Sequence, residues 1–593
     1  MIHSLARLVR MRPNELRTRV QQALSKRLGR PAPCRLQPVT GPAPVFFDLP
    51  AAPPDLIAKA DRICAHRFDL LGYEALDFGT PIDWHLDPVH HKQAPRKPWY
   101  QIPFLDFAAI GDHKIIWELN RHQHLVILAQ AWRETQDDRY ATEIRVQWRH
   151  WQQENPYPVG INWASSLEVA FRALSWLWVA HLLGDLPEDW LQAFYLHGWH
   201  IERYLSTYFS PNTHLLGEGM TLFALGVLCP QIPAASRWRG RGWRIILRQA
   251  ETQVRDDGFH FEQSVYYHVY ALEFFEQARL LAVRGDIPVP PAFDRTIKKM
   301  SEALSAISQA GAPPRFGDDD GGRLIGNFAP VRVCAPHSVA LESSGIYAMT
   351  AGRAQFFIDA GPMGVFAGGH GHADALSVQL VMDGRLVLID PGTFCYVCPE
   401  RNRFRGTAAH NTLEVDGCDQ ATPAGPFAWT GMPETTVDRW HSAVKFDFFA
   451  GHHNGYAPVI HHRQIFALKA KFWLVRDVAD GPGRHTLALH WHYLNANDIS
   501  ILPPAAHTWT QTSEPWDWSP VYGRKSPAYV LRFSTVAELP AEFAVLLLPS
   551  ANPGIFTQTA PGAYRYEDAE GTHEFTFTSS HFSYRHNAEE IFL

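Results

Sequence analysis

The chain has 593 residues, of which 46% are hydrophobic and 19% are charged, and its formal net charge is −6. This length exceeds what one hydrophobic core usually supports, so two or three globular domains are expected. The charge balance provides no overall positive field, which argues against nucleic acid as the main partner.

The first 30 residues are basic and lack a long apolar run. Arginine and lysine recur from Arg7 to Arg30, so the segment does not have the apolar core of a secretory signal peptide. We therefore expect a cytoplasmic protein, with a periplasmic location or secretion by another route as the alternative. A solvated helix face is favoured over a helix on a membrane surface, and no run of about 20 apolar residues predicts a membrane span. The sequence does not indicate the oligomeric state.

Seven cysteines in so long a chain, an odd number, do not indicate a disulfide framework. Cys395 and Cys398 form a CxxC pair, but the sequence has no second such pair, and the residues between them are not typical of a helix start. We therefore interpret this pair as incidental.

The spacing of apolar residues predicts an α+β multidomain chain in three parts. Residues 1–55 combine a basic helix with a Pro-rich arm. Residues 56–330 have the apolar spacing of paired helices, which favours an incomplete (α/α) toroid over a bundle. Residues 331–593 contain short alternating runs that predict an antiparallel β-sandwich of stacked sheets, supersandwich-like. The predicted helices are 117–135, 141–153, 165–183, 189–208, 214–228, 243–255, 267–283 and 291–310, and the predicted strands include 354–358, 466–478, 486–494, 528–534 and 543–548.

Polar residues along the first predicted strands of the β region indicate a metal site. His370 and His372 are separated by one residue, so on an extended strand they point to the same face. An Asp-Gly turn at 383–384 predicts a hairpin that returns Asp390 to this place, and a third strand that begins at His410 can add another imidazole. Two imidazoles and a carboxylate around an open position suit zinc.

A second group of polar residues lies at predicted helix entrances in the helical part. Asn212, His214 and Glu218 open one helix, where backbone N–H groups also favour an anion. Tyr267 and His268 open a later one. With the many tryptophans, this pattern favours a cleft for a hydroxylated anionic ligand, because indoles stack on sugar faces and arginine pairs with carboxylate or sulfate. The alternative for each motif is helix capping with aromatic core packing. Further predicted ligand contacts are Asn120, Arg121, His122, Asn162 and Trp163.

Taken together, these motifs resemble those of the heparinase II/III-like family of polysaccharide lyases. The resemblance implies an incomplete (α/α) toroid followed by an antiparallel β-sandwich, and β-elimination at a hexuronic acid as the activity. An acidic polysaccharide is then the expected partner. The matching segments are Ser210-Pro211-Asn212-Thr213-His214, Glu262-Gln263-Ser264 with Tyr267-His268, Phe316-Gly317-Asp318-Asp319-Asp320, His370-Gly371-His372-Ala373-Asp374, Ile389-Asp390-Pro391-Gly392 and His410-Asn411-Thr412.

The resemblance also implies catalytic roles. Asn212 is expected to neutralise the uronate carboxylate with help from His214. Thr213 separates these two residues, so which of them contacts the carboxylate stays open. Tyr267 is expected to act as acid and also as base, and His370 as base for the opposite proton geometry.

The remaining implied residues support the site. His372, Asp390 and His410 are expected to hold one zinc ion that is mainly structural. Tyr396 and Arg405 are expected to contact substrate, with Arg403 as an alternative to Arg405.

Other functions remain open at this point. A uronate carbon-5 epimerase removes the same proton and needs the same residues. A polysaccharide-binding or assembly protein with an inactive site is a different class; it predicts loss of the tyrosine and histidine, which this chain retains. A zinc hydrolase is disfavoured because Asp374 has no evident placement as a water-activating base. The sequence does not name the polymer.

Overall fold

A computed structural model describes residues 13–26, 29, 31–38, 48, 52–326, 328, 335–549, 554–578, 581–587 and 589–593. The predicted domain boundary at 330/331 and the first twelve residues of the predicted basic helix lie outside the described residues. Helix α1 (Pro13–Ser25) covers the described part of the basic segment. Within the described ranges, no helix is both long enough and apolar enough to span a membrane.

The first half of the chain is helical. The predicted helix 117–135 is two helices, because His122 takes a left-handed φ of 58° between them. The other predicted helices appear with ends shifted by up to eight residues, the largest shift being that of the helix predicted at 243–255, which begins at Ala235. The helices are α2 (Leu56–Cys64), α3 (Phe107–Ile110), α4 (His113–Asn120), α5 (Gln123–Thr135), α6 (Asp138–Glu154), α7 (Ser166–Leu183), α8 (Glu188–Arg203), α9 (Thr213–Leu228), α10 (Ala235–Gln253), α11 (Val265–Arg284), α12 (Pro291–Ala306) and, farther along, α13 (Arg401–Arg405).

Helices that follow one another in the chain pack side by side. Helix α9 contacts α7, α8, α10 and α11, and α12 packs against α10 and α11. Buried tryptophans such as Trp151, Trp163 and Trp176 fill the space between the helices. Closure of these helices into an incomplete toroid stays a prediction.

The rest of the chain is mainly strands. Four short strands lie within the helical half, and the others follow it. They are β1 (Arg67–Leu70), β2 (Tyr73–Asp77), β3 (Leu86–Asp87), β4 (Lys92–Gln93), β5 (Val339–Leu341), β6 (Ile346–Ala351), β7 (Ala354–Asp359), β8 (Val378–Met382), β9 (Arg385–Leu388), β10 (Leu413–Val415), β11 (Thr422–Pro423), β12 (Trp429–Thr430), β13 (Thr435–Ser442), β14 (Phe446–Tyr456), β15 (Val459–Leu468), β16 (Phe472–Asp480), β17 (Arg484–Tyr493), β18 (Ser500–Leu502), β19 (Thr510–Trp518), β20 (Ser526–Glu538), β21 (Ala541–Leu548), β22 (Ile555–Ala560), β23 (Ala563–Asp568), β24 (Gly571–Phe577), β25 (Phe582–His586) and β26 (Glu589–Phe592).

Three antiparallel sheets lie in layers, and the first of them packs on the helices, which confirms the predicted α+β architecture. The first sheet has the order β19-β20-β17-β9-β8-β7-β6-β5, with β10 paired to β17; the second is β13-β14-β15-β16-β21-β18 and the third is β22 to β26. Alternating residues show the layering: Ala348 of β6 packs on the helices and Met349 on the second sheet, whereas Phe449 of β14 faces the first sheet and Phe448 the third. The first two sheets are therefore covered on both faces.

Three details of the β region differ from expectation. The predicted strand 466–478 is two strands, β15 and β16, because the chain turns at 469–471. The 370–374 segment is an irregular loop rather than a strand. The hairpin of β8 and β9 forms as predicted, but the strand predicted to begin at His410 begins at Leu413, as β10, and pairs with β17.

The segment that follows α12 runs between the helical half and the β half of the chain. Val265 N donates to Phe316 O, and Asp318 N donates to His370 O. Gly317 has a φ of +70°, and a Cβ there would lie 2.8 Å from His370 O and 2.9 Å from Gln263 O. Only glycine fits this close approach, which delivers Asp318 to the seam between helices and sheet.

Candidate active site and metal centre

The carboxylate of Asp318 is the most heavily bonded group at this seam. Arg401 donates to both of its oxygens at 2.5 and 2.7 Å, and Thr393 donates to Oδ1 at 3.2 Å. His370 Nδ1 lies 3.1 Å from Oδ2, and His372 Nε2 lies 3.1 Å from Oδ1. Asp318 is fully buried, so one carboxylate holds both histidines of the HxH motif.

The ionisation of Asp318 decides how the two imidazoles are oriented. Burial raises its pKa, but the Arg401 charge and the hydrogen bonds to both imidazoles hold that pKa well below its usual value. An ionised carboxylate only accepts hydrogen bonds, so the nitrogens that face it, His370 Nδ1 and His372 Nε2, carry hydrogen. His370 Nε2 and His372 Nδ1 are then directed to two different places.

The His370 ring lies against a tyrosine pair, and its Nε2 faces a buried glutamate. The His370 ring stacks on the Tyr267 ring, with centroids 3.9 Å apart and planes at 24°. The hydroxyls of Tyr267 and Tyr396 lie 2.9 Å apart. His370 Nε2 lies 3.7 Å from Glu262 Oε1. The structure thus brings together residues from α11, the 370–374 loop and the 395–398 loop.

Burial and neighbouring charges shift the pKa values of Tyr267 and His370. Burial and the Asp320 charge raise the pKa of Tyr267 well above its usual value, so its hydroxyl is protonated at neutral pH. Burial lowers the pKa of His370, but its hydrogen bond to Asp318 and the charges of Glu262 and Asp318 outweigh that effect and raise it. A protonated phenol therefore lies face to face with the His370 ring, whose charged form is favoured by the neighbouring carboxylates.

Asn212 reaches the same cluster through Glu262. Its side-chain oxygen caps α9 by accepting from His214 N at 3.1 Å, and its amide nitrogen donates to Glu262 Oε1 at 2.5 Å. The same Glu262 oxygen faces His370, so one carboxylate aligns both groups. Burial, followed by the His370 charge, lowers the pKa of His214 to about 4, so that imidazole is neutral at pH 7.

His372 Nδ1 points into a second, separate cluster. Ligand atoms of His372, Asp374, Asp390 and His410 all lie within 4.8 Å of one another, and the four residues are buried. His410 Nδ1 lies 3.0 Å from Asp390 Oδ2, and Asp390 Oδ1 accepts from Gly392 N. The structure therefore assembles the three predicted ligands and adds Asp374 to them.

The atoms of this cluster fit a divalent cation. Among the described residues, His372 Nδ1, Asp374 Oδ2 and His410 Nε2 are buried without a hydrogen-bond partner, which is costly unless another group satisfies them. Burial, with the neighbouring Asp390 charge, raises the pKa of Asp374. Mixed imidazole and carboxylate donors of this kind suit zinc.

Several predicted ligand contacts lie in the core of the helices instead. The Asn120 amide donates to Trp84 O and Ile116 O, and the Asn162 amide donates to Trp84 O. These residues, like His122 and Trp163, are at most 1% exposed. The prediction that Asn120, His122, Asn162 and Trp163 contact ligand is wrong, because tertiary packing encloses these helix ends.

The other predicted ligand contacts already have hydrogen-bond or ion-pair partners inside the protein. Arg121 makes a bidentate ion pair with Glu168, and Glu218 accepts from Ser206 N and Oγ. Burial raises the pKa of Glu218 to about 8. His268 accepts from His260 N and bonds Met300 O, and Arg405 donates to Asn402, Gly425 O and Pro426 O. The prediction of substrate contact is therefore wrong for these buried residues: Arg121, Glu218, His268 and Arg405.

The CxxC pair is not incidental. Cys395 and Cys398 form a disulfide that closes the loop around Tyr396. Tyr396 N donates to the Tyr522 hydroxyl, which donates to Asp112 of the helical half. The sequence interpretation failed because loop geometry, rather than a helix start, brings the two sulfurs together.

Four residues of the site were not assigned by sequence reasoning. Glu262, Asp318 and Asp374 lie inside the quoted motifs but had no role, and Arg401 was passed over for its neighbours. A signal was present for Asp318, since a carboxylate commonly orients a metal-binding histidine. Its partner Arg401 lies 83 residues away, and Glu262 lies 50 residues from Asn212, separations that local patterns do not show.

Comparison with known proteins matches both halves of the chain. A family model described as heparinase II/III N-terminus matches residues 56–324, and one described as heparinase II/III-like, C-terminal, matches residues 335–582.

Individual relatives agree with these matches. A heparin-sulfate lyase of Pedobacter heparinus is 27% identical over 478 residues, which cover 73% of this chain and 67% of the relative. One from Bacteroides stercoris is 23% identical over 499 residues, covering 73% and 69%. A crystal structure of heparinase III superposes with a TM-score of 0.71 at 16% identity, covering 94% of this chain and 93% of the other, which shows that the fold is shared.

We predict that Asp318→Asn lowers the free energy of unfolding by about 3–5 kcal/mol, because it removes the buried partner of Arg401 and leaves that charge unpaired. Urea-induced unfolding measures the change.

Asp319→Asn is the matched control. Its carboxylate accepts a hydrogen bond from Gly321 N, which the amide oxygen of asparagine can still accept, so the substitution should cost at most about 1 kcal/mol. Equal losses of unfolding free energy in the two variants would contradict the claim that the Asp318–Arg401 pair stabilises the fold.

Proposed function

Because the chain belongs to the heparinase II/III-like family, we propose that it is a polysaccharide lyase that cleaves an acidic, uronate-containing polysaccharide by β-elimination. One observation carries the proposal: Tyr267, His370 and Asn212, from three distant segments, meet around Glu262 and Tyr396. The relatives from Pedobacter heparinus and Bacteroides stercoris are heparin-sulfate lyases, which supports the same reaction class.

β-Elimination makes three demands on a site. The uronate carboxylate must be neutralised, the proton on carbon 5 must be removed, and the leaving oxygen on carbon 4 must receive a proton. Each demand needs a group held in a fixed place.

Tyr267 supplies the proton to the leaving oxygen. Its raised pKa keeps the hydroxyl protonated at neutral pH, and the Tyr396 hydroxyl, 2.9 Å away, fixes its direction. As the family resemblance implies, Tyr267 also serves as base for a carbon-5 proton on its own side: having released its hydroxyl proton to solvent, the phenolate takes the carbon-5 proton and then returns it to the leaving oxygen.

Asn212 and His214 meet the carboxylate. The Asn212 amide, held by Glu262, and the neutral His214 imidazole flank the start of α9, where the helix dipole adds positive potential. His370, aligned by Asp318, is the base for substrates whose carbon-5 proton lies on its side, once its Nε2 has lost a proton.

We also propose zinc as the ion for the second cluster, held by His372, Asp390 and His410 with Asp374. Bound zinc supplies positive charge that offsets the buried carboxylates and joins the 370–374 loop to the residues that precede β10. Because His372 shares Asp318 with His370, this site supports the catalytic imidazole without contacting substrate.

The Cys395–Cys398 disulfide supports the alternative location, an oxidising compartment such as the periplasm, because disulfides persist there and are rare in the cytosol.

We predict that Tyr267→Phe lowers kcat by about 10²- to 10⁴-fold, the usual contribution of a general acid or base. The assay is the ultraviolet absorbance of the unsaturated uronate product over a panel of heparan sulfate, chondroitin sulfate and alginate.

Tyr266→Phe is the control, since its buried hydroxyl has no hydrogen-bond partner within the described residues; its kcat should be nearly unchanged. Wild-type protein that produces no absorbance with any polymer would contradict the lyase, and a changed carbon-5 configuration without absorbance would identify an epimerase.

We predict that removing the metal lowers both the thermal midpoint, by roughly 5–10 °C, and the activity, because a bound ion stabilises the folded state. Elemental analysis verifies the metal content, and scanning calorimetry gives the midpoint.

His410→Ala tests the assignment of the ligands. Its midpoint should be lower than that of the wild type and insensitive to chelator. Full activity and an unchanged midpoint in verified metal-free wild-type protein would refute the structural role of the ion.

A further inference from the structure

A cavity of about 440 Å³ opens beside the proposed catalytic groups. Pro211 and Phe261, the residues just before Asn212 and Glu262, both line it, and Arg248, Gln249 and Phe366 complete much of its wall. It lies where α9 and α10 meet the 365–366 loop. Neither the catalytic cluster nor the metal cluster uses it.

Phe366 presents an aromatic face at this cavity. Its side chain is 68% exposed, and its φ of 57° is unusual for a phenylalanine. Phe261 supports it edge-on, with ring centroids 6.0 Å apart. A bulky residue held exposed in a strained conformation indicates a functional constraint, and an exposed aromatic ring can stack on a sugar.

Helix α10 carries positive charge to the same cavity. It contains five arginines against one glutamate, although the chain as a whole has a net charge of −6. Arg237, Arg241, Arg244 and Arg248 are spaced four, three and four residues apart, so they share one helix face. Arg248 has 68% of its side chain exposed.

Because of the direction of α10, its arginine face extends toward the proposed catalytic groups. Helices α9 and α10 run antiparallel: Gly226 meets Arg239, Gly219 meets Ile245, and Gln253 donates to Pro211 O. Arg248 is therefore near the Asn212 end, and Arg244 lies about 6 Å farther along the helix axis.

The existing partners of Arg248 and Arg244 leave both able to bind an anion. Arg248 pairs with Glu251, itself 65% exposed, and within the described residues the exposed Arg244 donates only to Gly240 O. An exposed ion pair contributes little to stability, so an incoming sulfate or carboxylate can replace Glu251. Arg237 and Arg241 stay paired with Glu202, which is only 13% exposed, and add positive charge to the face. Arginine suits both anions because its guanidinium binds them in a bidentate manner.

We propose that the cavity and the arginine face of α10 form an extended subsite, which binds the sulfated or carboxylated sugars next to the scissile bond. This inference rests on the proposed lyase function. A sugar ring stacks on Phe366, its anionic group pairs with Arg248, and the following residues of the polymer run past Arg244.

The test compares Arg244→Ala/Arg248→Ala with a matched double variant, Arg145→Ala/Arg149→Ala. The control pair has the same spacing and is exposed on α6, which does not line the cavity. Binding of fluorescently labelled heparan sulfate, chondroitin sulfate and alginate fragments is measured by anisotropy, and KM and kcat are measured on the unlabelled polymers.

We expect the α10 variant to bind its best polymer about tenfold more weakly at low salt, with a matching rise in KM and little change in kcat. The difference should vanish in about 1 M salt, where screening is nearly complete. Phe366→Leu, which keeps apolar volume but lacks a ring face, should weaken binding severalfold at both salt concentrations. The control pair should behave as the wild type.

Each outcome separates the subsite from the lyase function. Equal affinity of the α10 and control variants overturns the subsite even if the wild type cleaves polymer. Weaker binding by the α10 variant supports the subsite even if no polymer is cleaved, in which case only the lyase function fails. A wild type that binds none of the three polymers overturns the subsite.

Discussion

The buried carboxylate of Asp318 is the interaction on which the site depends. It is ionised because Arg401 donates to both of its oxygens, and it then holds His370 and His372 through their N–H groups. A charge buried this deeply is stable only with such partners. Two imidazoles are thereby oriented by one group. The free nitrogen of His370 faces Glu262 beside the tyrosine pair, and that of His372 lies at the proposed metal cluster.

The stacked layers explain why this arrangement is rigid. The first sheet packs against the helices on one face and the second sheet on the other, so the loops at its edge are fixed from both sides. Gly317 lets the connecting segment pass between the helices and the His370 loop. Asn212 and Tyr267, at the starts of two helices, then face a loop of the β region across the seam, and Glu262 joins the two sides.

Local patterns in the sequence predicted the elements and part of the site. Helical spacing and the Asp383-Gly384 turn are local signals, so the helices and the β8–β9 hairpin were confirmed. The set His372, Asp390 and His410 was predicted from the family resemblance, whereas spacing alone had also directed His370, which lies outside the cluster, at the metal. Asn120 and Asn162 were misassigned because burial depends on tertiary packing. The sequence pattern of a polar residue at a helix end is the same whether the residue faces solvent or donates to a tryptophan carbonyl. Asp318 had no assigned role because its partners are distant in sequence.

The zinc affinity of Asp318→Asn tests most directly whether one carboxylate orients both the proposed metal ligand, His372, and the proposed catalytic imidazole, His370. The measurement is competition with a chelator at a temperature where circular dichroism shows the variant to be folded. Loss of an orienting carboxylate behind a metal-bound imidazole should weaken zinc binding by about 10- to 100-fold. Zinc affinity equal to that of the wild type would contradict the account, because His372 would then be positioned without Asp318.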